Sequence, residues 1–599
     1  MNINLAGITL TGTRVRIGIL FFFMFILFSA LAIQLWNMQV RNGERYQYKA
    51  IKQSARRIRV PAVRGTILDR NGIPIVTNRV SYNAQFHLSE MKQSNLKKTI
   101  ENILSESERM AICIGRKNPL TYDSVLRHKN LRPGIPLKVF TDLNRVELGR
   151  IMEMIPQIKG LEIAPEPVRE YPHGGIAAQV LGYVSSEDPA KAQDRADYFY
   201  YISDLIGRSG IEAIYNEKLK GSPGNKLVMV NSSGYIHSLL ESPTLARNGF
   251  DLQLTLDINA QKLCEKLLDG YTGSMVVMNA RNGEVLAMAS MPTYNPRDFV
   301  PRISGDKFRS LNQDPRKPFL NRATMGSYLP GSIIKPLCGL AVLESGMDPE
   351  TTVNCSGLTP HGYGRGIHCN NRYGHGDLDL YHALMKSCNV YFVNGGVSVG
   401  IDALSRMYAS AGIGSKTGIE LNERSGYLPV NSPSWKEEET AYVAFGQGKV
   451  EITPLQAACY FAAIGNGGYL LKPYLIKHIF DPNDGNRVSV FDAIPKRRGK
   501  LAASQQSLDI VKQGMYMVVH EPGGSGVRAK SKKFTIYGKT GTADVIQNGK
   551  ASKNVWFAGF ASDPRNNNLY SFALIVEKGI SGGGTAAPII QKFFDSWNP

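Results

Sequence analysis

Apolar residues run from Ile17 to Trp36 with only Gln34 strongly polar among them, a length that crosses the hydrocarbon core of a bilayer as a helix. Arg14 and Arg16 precede the run, and Arg41, Arg45, Lys49 and Lys52 follow it, so the flanking charges do not fix its orientation. A large downstream domain is exported whatever its charge. Ala30-Leu31-Ala32 has the small-residue pattern of a signal-peptidase site, but the apolar run is longer than a usual signal core. The pattern predicts a short cytoplasmic tail at 1–16, an uncleaved anchor at 17–36, and most of the chain outside the cytoplasm.

Past the anchor the pattern breaks into shorter units. A basic stretch, Lys49, Lys52, Arg56, Arg57, Arg59 and Arg64, reads as a solvated face next to the membrane. Thr66 to Val76 reads as a hairpin turning at Asn71-Gly72. From about Ser81 to Pro165 polar helical stretches mix with short strands. Tyr171-Pro172-His173-Gly174-Gly175 and the segment Ile206 to Glu212 are glycine-punctuated turns, and neither carries the G-K-[ST] of a phosphate loop. Leu227 to Val230 is a strand, followed by a turn at Asn231-Ser232-Ser233-Gly234.

A second character begins near Gly249. Asp251 to Leu256 alternates like a half-buried strand, and Asn259 to Leu268 has helical amphipathicity. Gly273 to Met278 and Glu284 to Ser290 are strands joined through Asn282-Gly283. Near the C-terminus, Phe534 to Tyr537, Val555 to Phe560 and Tyr570 to Val576 are three more, with a long helical stretch between the two sets. That order predicts an α+β domain whose single antiparallel sheet is assembled from both ends and flanked by helices.

With 599 residues and 43% hydrophobic content the chain has room for two or more domains with sizeable cores. Its net charge of +20 suits nucleic acid, anionic lipid or an acidic polymer. No zinc-finger, helix-turn-helix or RNA-binding pattern supports nucleic acid.

Chemistry enters at Leu329-Pro330-Gly331-Ser332-Ile333-Ile334-Lys335-Pro336. Pro330-Gly331 is a turn, the run from Ile333 to Glu344 is a buried helix, and Pro336 fits only near its start. Ser332 and Lys335 are one turn apart on one face, and a lysine kept neutral can take the serine's proton. S-x-x-K alone is weak: Ser89/Lys92, Ser94/Lys97 and Ser304/Lys307 also match, and roughly two or three matches arise by chance in a chain of this length. Ser387-Cys388-Asn389 and Lys539-Thr540-Gly541-Thr542 follow in order, the latter expected at the end of the Phe534–Tyr537 strand. Lys416-Thr417-Gly418 is a second K-T-G, set aside because it lies in a glycine-rich loop without a long preceding strand.

Ordered S-x-x-K, S-x-N and K-T-G is the motif set of penicillin-binding proteins and serine β-lactamases. The chain resembles a class B penicillin-binding protein of the elongation-type branch, penicillin-binding protein 2. The likeness covers nearly the whole length: the anchor, Arg64-Gly65 through Asp69-Arg70-Asn71-Gly72, Ile206 to Glu212, Gly374-His375-Gly376, Gly446-Gln447-Gly448, Thr453-Pro454-Leu455-Gln456 and the K-T-G-T-A end. It implies an elongated α+β pedestal at 37–248 and a serine β-lactamase-like transpeptidase domain at 249–599. It implies a peptidoglycan D,D-transpeptidase of lateral wall elongation, anchored in the bacterial inner membrane beside a RodA-type glycosyltransferase and inhibited by β-lactams. Ser332 is then the nucleophile toward D-Ala-D-Ala, Lys335 the base, Ser387 the proton relay and Asn389 a substrate ligand. Lys539, Thr540 and Thr542 hold the terminal carboxylate, Gly541 lies between them, and the N–H groups of Ser332 and Thr542 form the oxyanion hole. No organic cofactor is implied. The competing readings are a septal transpeptidase, a β-lactamase or penicillin sensor, a D,D-carboxypeptidase, and a scaffold that activates a membrane polymerase.

Seven cysteines are present. Cys113, Cys264, Cys338 and Cys459 lie in apolar runs and read as core. Cys355, Cys369 and Cys388 have His375 among them, a donor set for a closed structural zinc site. A Cys355–Cys369 disulfide is equally compatible with the spacing in an oxidising compartment. Relatives of the elongation branch carry a metal at corresponding positions, so the resemblance favours zinc on Cys355, Cys369, His375 and Cys388, ahead of His368.

Overall fold

A computed structural model describes residues 6–188, 191–240, 243–300, 302–359, 366–484, 488–547 and 550–599. The first five residues of the expected tail lie outside these. From Val15 to Trp36 the helix Ala6–Trp36 exposes its apolar side chains all round, Phe21 at 64% and Phe25 at 71%. A helix apolar on every side and buried against no protein is a candidate membrane anchor.

Two sheets follow. The strands Ala55–Val60, Gly224–Val230 and Ile236–Leu239 form a three-stranded sheet. A seven-stranded sheet runs in the order Ser489–Asp492, Ile476–Phe480, Asp251–Leu254, Ile67–Leu68, Pro74–Phe86 and Leu137–Phe140, with Leu161–Glu170 also pairing with Pro74–Phe86. The hairpin turns at Gly72, whose φ of 82° needs glycine, but its second strand continues to Phe86. Leu252 stands opposite both Ile67 and Ile479, so this sheet joins the pedestal to the C-terminal domain through hydrogen bonds.

The segment 206–212 is a strand end and a helix rather than a turn: Leu205–Gly207 is followed by Gly210–Ile214. Its glycines serve close packing, since a Cβ at Gly207 would meet Glu212 O at 1.8 Å. Glu212 is fully buried and accepts from Arg64 Nε at 2.7 Å and Arg169 Nε at 2.8 Å. Burial pushes its carboxyl up, but Arg169 and Arg64 together hold it below the ordinary carboxylate range.

The C-terminal domain is a five-stranded antiparallel sheet, ordered Val285–Met291, Thr272–Asn279, Leu569–Glu577, Lys550–Ser562 and Thr535–Gln547. Both ends of the domain contribute, as the strand pattern predicts. Side chains alternate between two cores: Val276, Trp556 and Ile575 face the helix Pro454–Gly465, while Val277, Phe557 and Leu574 face Ile258–Leu267 and Ala587–Ser596. Burial on both faces explains why these strands read as continuous apolar runs.

Candidate active site

Ser332 lies in the short 3-10 turn Gly331–Ile334, which leads into the helix Lys335–Glu344 with Pro336 in its first turn. Three residues per 3-10 turn bring Ser332 and Lys335 to one side. Backbone packing fixes the turn. Gly331 has φ 54°, and a Cβ there would meet Thr542 O at 2.7 Å. Gly331 N–H donates to Gly446 O at 2.8 Å. Tyr460 OH donates to Ile333 O at 2.9 Å and Trp556 Nε1 to Leu329 O at 3.1 Å.

The Lys335 amine is fully buried. It donates to Ser387 O at 2.8 Å and Asn389 Oδ1 at 2.7 Å, lies 3.4 Å from Ser387 Oγ, and stands 5.5 Å from the Phe392 ring centroid. Burial lowers its pKa from 10.5 to about 8, against the opposing pull of the Cys388 and Cys369 sulfurs. Among the described residues no hydrogen bond joins it to the half-buried Ser332 hydroxyl, because two oxygens across the cleft take its protons.

Ser387 ends the helix Leu380–Lys386 with φ 57°, a left-handed position that a non-glycine residue seldom takes. The reversal lets Asn389 open the next helix, Asn389–Ser410, with its carboxamide toward Lys335 and its Nδ2 donating to His368 O at 2.9 Å.

Lys539, Thr540, Gly541 and Thr542 lie within the edge strand Thr535–Gln547, not at its end. Lys539 is fully buried and donates to Thr540 O at 3.1 Å. Burial drives its pKa well below the ordinary lysine range, and the charge of Lys335 adds to the effect. Thr540 Oγ1 donates to Ser525 Oγ at 2.9 Å, and Thr542 Oγ1 accepts from Gly582 N at 3.4 Å. Gly541 has no room for a side chain, since a Cβ would meet Ile333 Cγ2 at 2.9 Å. All three motifs thus converge on one cleft. Lys416-Thr417-Gly418 lies elsewhere, with Thr417 Oγ1 donating to Glu423 at 2.6 Å.

Of the residues that hold these groups, Gly446 lies in a stretch that carries the family likeness, whereas Tyr460, Trp556 and Ser525 belong to no motif.

Cys355, Cys369, His375 and Cys388 meet, with their donor atoms within 4.8 Å of one another. His375 Nδ1 is 3.5 Å from both Cys355 Sγ and Cys369 Sγ, and the Cys369 and Cys388 sulfurs are 3.8 Å apart. All seven cysteines are free thiols, so Cys355 and Cys369 form no disulfide here. Cys369 Sγ accepts from Asn389 N–H at 3.3 Å, and Cys388 caps the helix that Asn389 begins. The cluster therefore abuts the S-x-N loop.

Residues 273–595 match the family described as the penicillin binding protein transpeptidase domain. The chain belongs to the class B penicillin-binding proteins. Residues 59–254 match the penicillin-binding protein dimerisation domain that forms the pedestal of this class. The peptidoglycan D,D-transpeptidase MrdA of Salmonella typhimurium is 31% identical over 613 residues, spanning 97% of this chain and 95% of that protein. Penicillin-binding protein 2 of Helicobacter pylori, solved in complex with MreC, superposes with a TM-score of 0.74 at 28% identity, covering 90% of this chain and 98% of that one. A chain of a peptidoglycan synthase complex that coordinates polymerization and crosslinking gives 0.71 at 26% identity over 96% and 97%.

Proposed function

We propose that this penicillin-binding protein is a serine D,D-transpeptidase that cross-links peptidoglycan stem peptides during wall elongation. The observation that carries the mechanism is the Lys335 amine, buried with no carboxylate partner among the described residues and aimed at Ser387 and Asn389 one turn behind Ser332. Neutral Lys335 removes the Ser332 proton as Oγ attacks the penultimate D-Ala carbonyl. The N–H groups of Ser332 and Thr542 stabilise the oxyanion, consistent with the close fit of Gly331 against the Thr542 backbone. Collapse breaks the amide bond, and Ser387 passes a proton to the departing D-Ala nitrogen. The amine of a second stem then takes the acyl group and frees Ser332. Asn389 holds a substrate amide, and Lys539 with Thr540 and Thr542 holds the carboxylate. A β-lactam acylates Ser332 by the same route.

The pedestal occupies 37–248 and the transpeptidase domain 249–599, both on the outer side of the inner membrane and the tail 1–16 inside. The MreC complex and the synthase complex of its relatives support a place in an elongation assembly with a RodA-type polymerase. Zinc is the metal that suits Cys355, Cys369, His375 and Cys388. Donors about 2.3 Å (sulfur) and about 2.0–2.1 Å (nitrogen) from a tetrahedral centre lie about 3.8 Å (S to S) and about 3.6 Å (S to N) apart, against 3.8 and 3.5 Å here. Bound there, the metal supplies a structural cross-link, and the residues themselves then fix the loop that presents Ser387 and Asn389.

The test is product analysis with donor and acceptor stems. Cross-linked product with release of one D-alanine supports transfer to an amine; tetrapeptide alone makes the chain a carboxypeptidase.

A further inference from the structure

A cation cluster on the transpeptidase domain has no part in this chemistry. The strands Tyr469–Leu471 and Arg497–Lys500 pair antiparallel, with Arg497 opposite Leu471 and Lys500 opposite Tyr469. Lys472 N–H donates to Lys496 O at 2.8 Å, so two lysines flank one end of this ribbon. Arg498 crosses to the neighbouring loop, donating to Ser415 Oγ at 3.2 Å and Lys416 O at 2.7 Å. The second K-T-G motif thereby brings Lys416 beside Arg498. Lys416, Lys496, Arg497 and Lys500 are exposed, and Lys472 and Arg498 half-buried.

Among the described residues, these six cations form no ion pair, although Glu420 and Asp492 line the hollow that Lys472 and Lys496 border. Glu420 accepts from the N–H of Leu475 at 3.0 Å and of Ile476 at 3.3 Å. Glu423 is taken by Thr417 Oγ1 at 2.6 Å and Gly418 N–H at 2.7 Å, and Asp492 by Ser489 Oγ at 2.7 Å and His478. Crowded like charges repel one another, yet here they are held in place. The Arg497 guanidinium lies 3.9 Å from the Tyr469 ring centroid, and the Lys500 amine 5.8 Å from it. Beside them a hollow of about 170 Å³ places Lys472 and Lys496 next to Tyr474, Phe491 and Ile494, with the hydrogen-bonded carboxylates of Glu420 and Asp492 also in its wall. Ammonium groups bordering apolar rings suit an acidic chain with apolar stretches better than a bare inorganic ion.

We propose that this face is an exosite for the uncross-linked glycopeptide strand, a polymer on which each unprocessed stem ends in a carboxylate. The inference rests on the transpeptidase reading for its substrate, and the exosite retains the strand while successive stems enter the Ser332 cleft.

The test is the full-length chain in detergent, wild type beside Lys496→Glu/Arg497→Glu/Lys500→Glu. Co-sedimentation with uncross-linked peptidoglycan is measured at about 50 and about 300 mM salt, and acylation by a fluorescent penicillin is measured separately. Reversal is expected to weaken polymer binding about tenfold at low salt, with the difference shrinking at high salt. Acylation stays unchanged, which reports an intact cleft. Equal polymer binding by the two proteins at low salt overturns the exosite. Vesicles of anionic phospholipid that bind wild type as tightly, and lose to the same variant, assign the face to a membrane and also overturn it. A wild type that penicillin does not acylate defeats the transpeptidase reading, while the binding comparison still decides the exosite.

Discussion

Gly446→Ala displaces the nucleophile turn without altering any group that touches substrate. Gly446 has φ 88°, and a Cβ there would stand 2.0 Å from Gly331 O, 2.6 Å from Gly331 C and 2.8 Å from its Cα. Ordinary carbon contacts begin near about 3.5 Å, so the Gly331 carbonyl must retreat by more than about 1 Å. It has little room to do so, because Gly331 already lies against the Thr542 backbone, where its own Cβ would meet Thr542 O at 2.7 Å. A β-carbon in a left-handed conformation adds about 1–2 kcal/mol of strain. A shift of about 1 Å in reacting atoms costs about a hundredfold in rate, or about 2.7 kcal/mol. The expected outcome is a drop of about a hundredfold in the second-order acylation of Ser332, followed with a fluorescent penicillin, and a lowered Tm. Gly149→Ala is the control, since a Cβ there meets nothing within 4 Å. Acylation by Gly446→Ala within about threefold of wild type, at unchanged Tm, would refute the reasoning.

Four further predictions concern buried charge and the thiol cluster. Acylation should rise about tenfold per pH unit below about 8 and level off above it, because the proton must leave Lys335 before it acts as base; a rate flat from pH 6 to 9 contradicts that role. The lowered pKa also means that the folded state resists protonating Lys335, a cost of about 3 kcal/mol at pH 7 that fades as the pH rises toward 10.5. Lys335→Met should therefore abolish acylation yet raise stability in urea at pH 7, and a destabilised variant counts against the burial argument. Glu212→Ala leaves Arg64 and Arg169 buried without their counter-charge and should destabilise the pedestal by about 3–5 kcal/mol; a loss under about 1 kcal/mol by urea unfolding contradicts it. Cys388→Ser should lower zinc content in metal analysis and weaken acylation through the Asn389 loop; unchanged zinc removes Cys388 from the ligand set.

The three motifs were legible because each needs particular residue types at fixed spacing, and the order Ser332, Ser387, Lys539 is rare by chance. The strand carrying Lys539 was cut short at Tyr537, since Gly538, Thr540, Gly541 and Thr542 lack the apolar alternation of a strand. They still pair as an edge strand, from Gly538 opposite Gly559 to Thr542 opposite Val555. The reach of Lys335 toward Ser387 and Asn389, rather than into a direct bond with Ser332, depends on the left-handed Ser387, which no local pattern announces. Likewise the glycines at 207 and 210 looked like turn residues, and their packing against Glu212 and Gly182 is a tertiary fact. The sheet that links Leu252 to Ile67 and Ile479 joins segments hundreds of residues apart. The positions of Cys355, Cys369, His375 and Cys388 suggested metal ligands, but only folding brings their donor atoms within 4.8 Å.

The most direct measurement is the intact mass of the full-length chain after exposure to penicillin, with Ser332→Ala beside it. A stable adduct of one drug molecule in wild type only, mapped to the peptide containing Ser332, is the predicted result. An adduct of equal yield in Ser332→Ala, or hydrolysed drug with no adduct in wild type, contradicts the account.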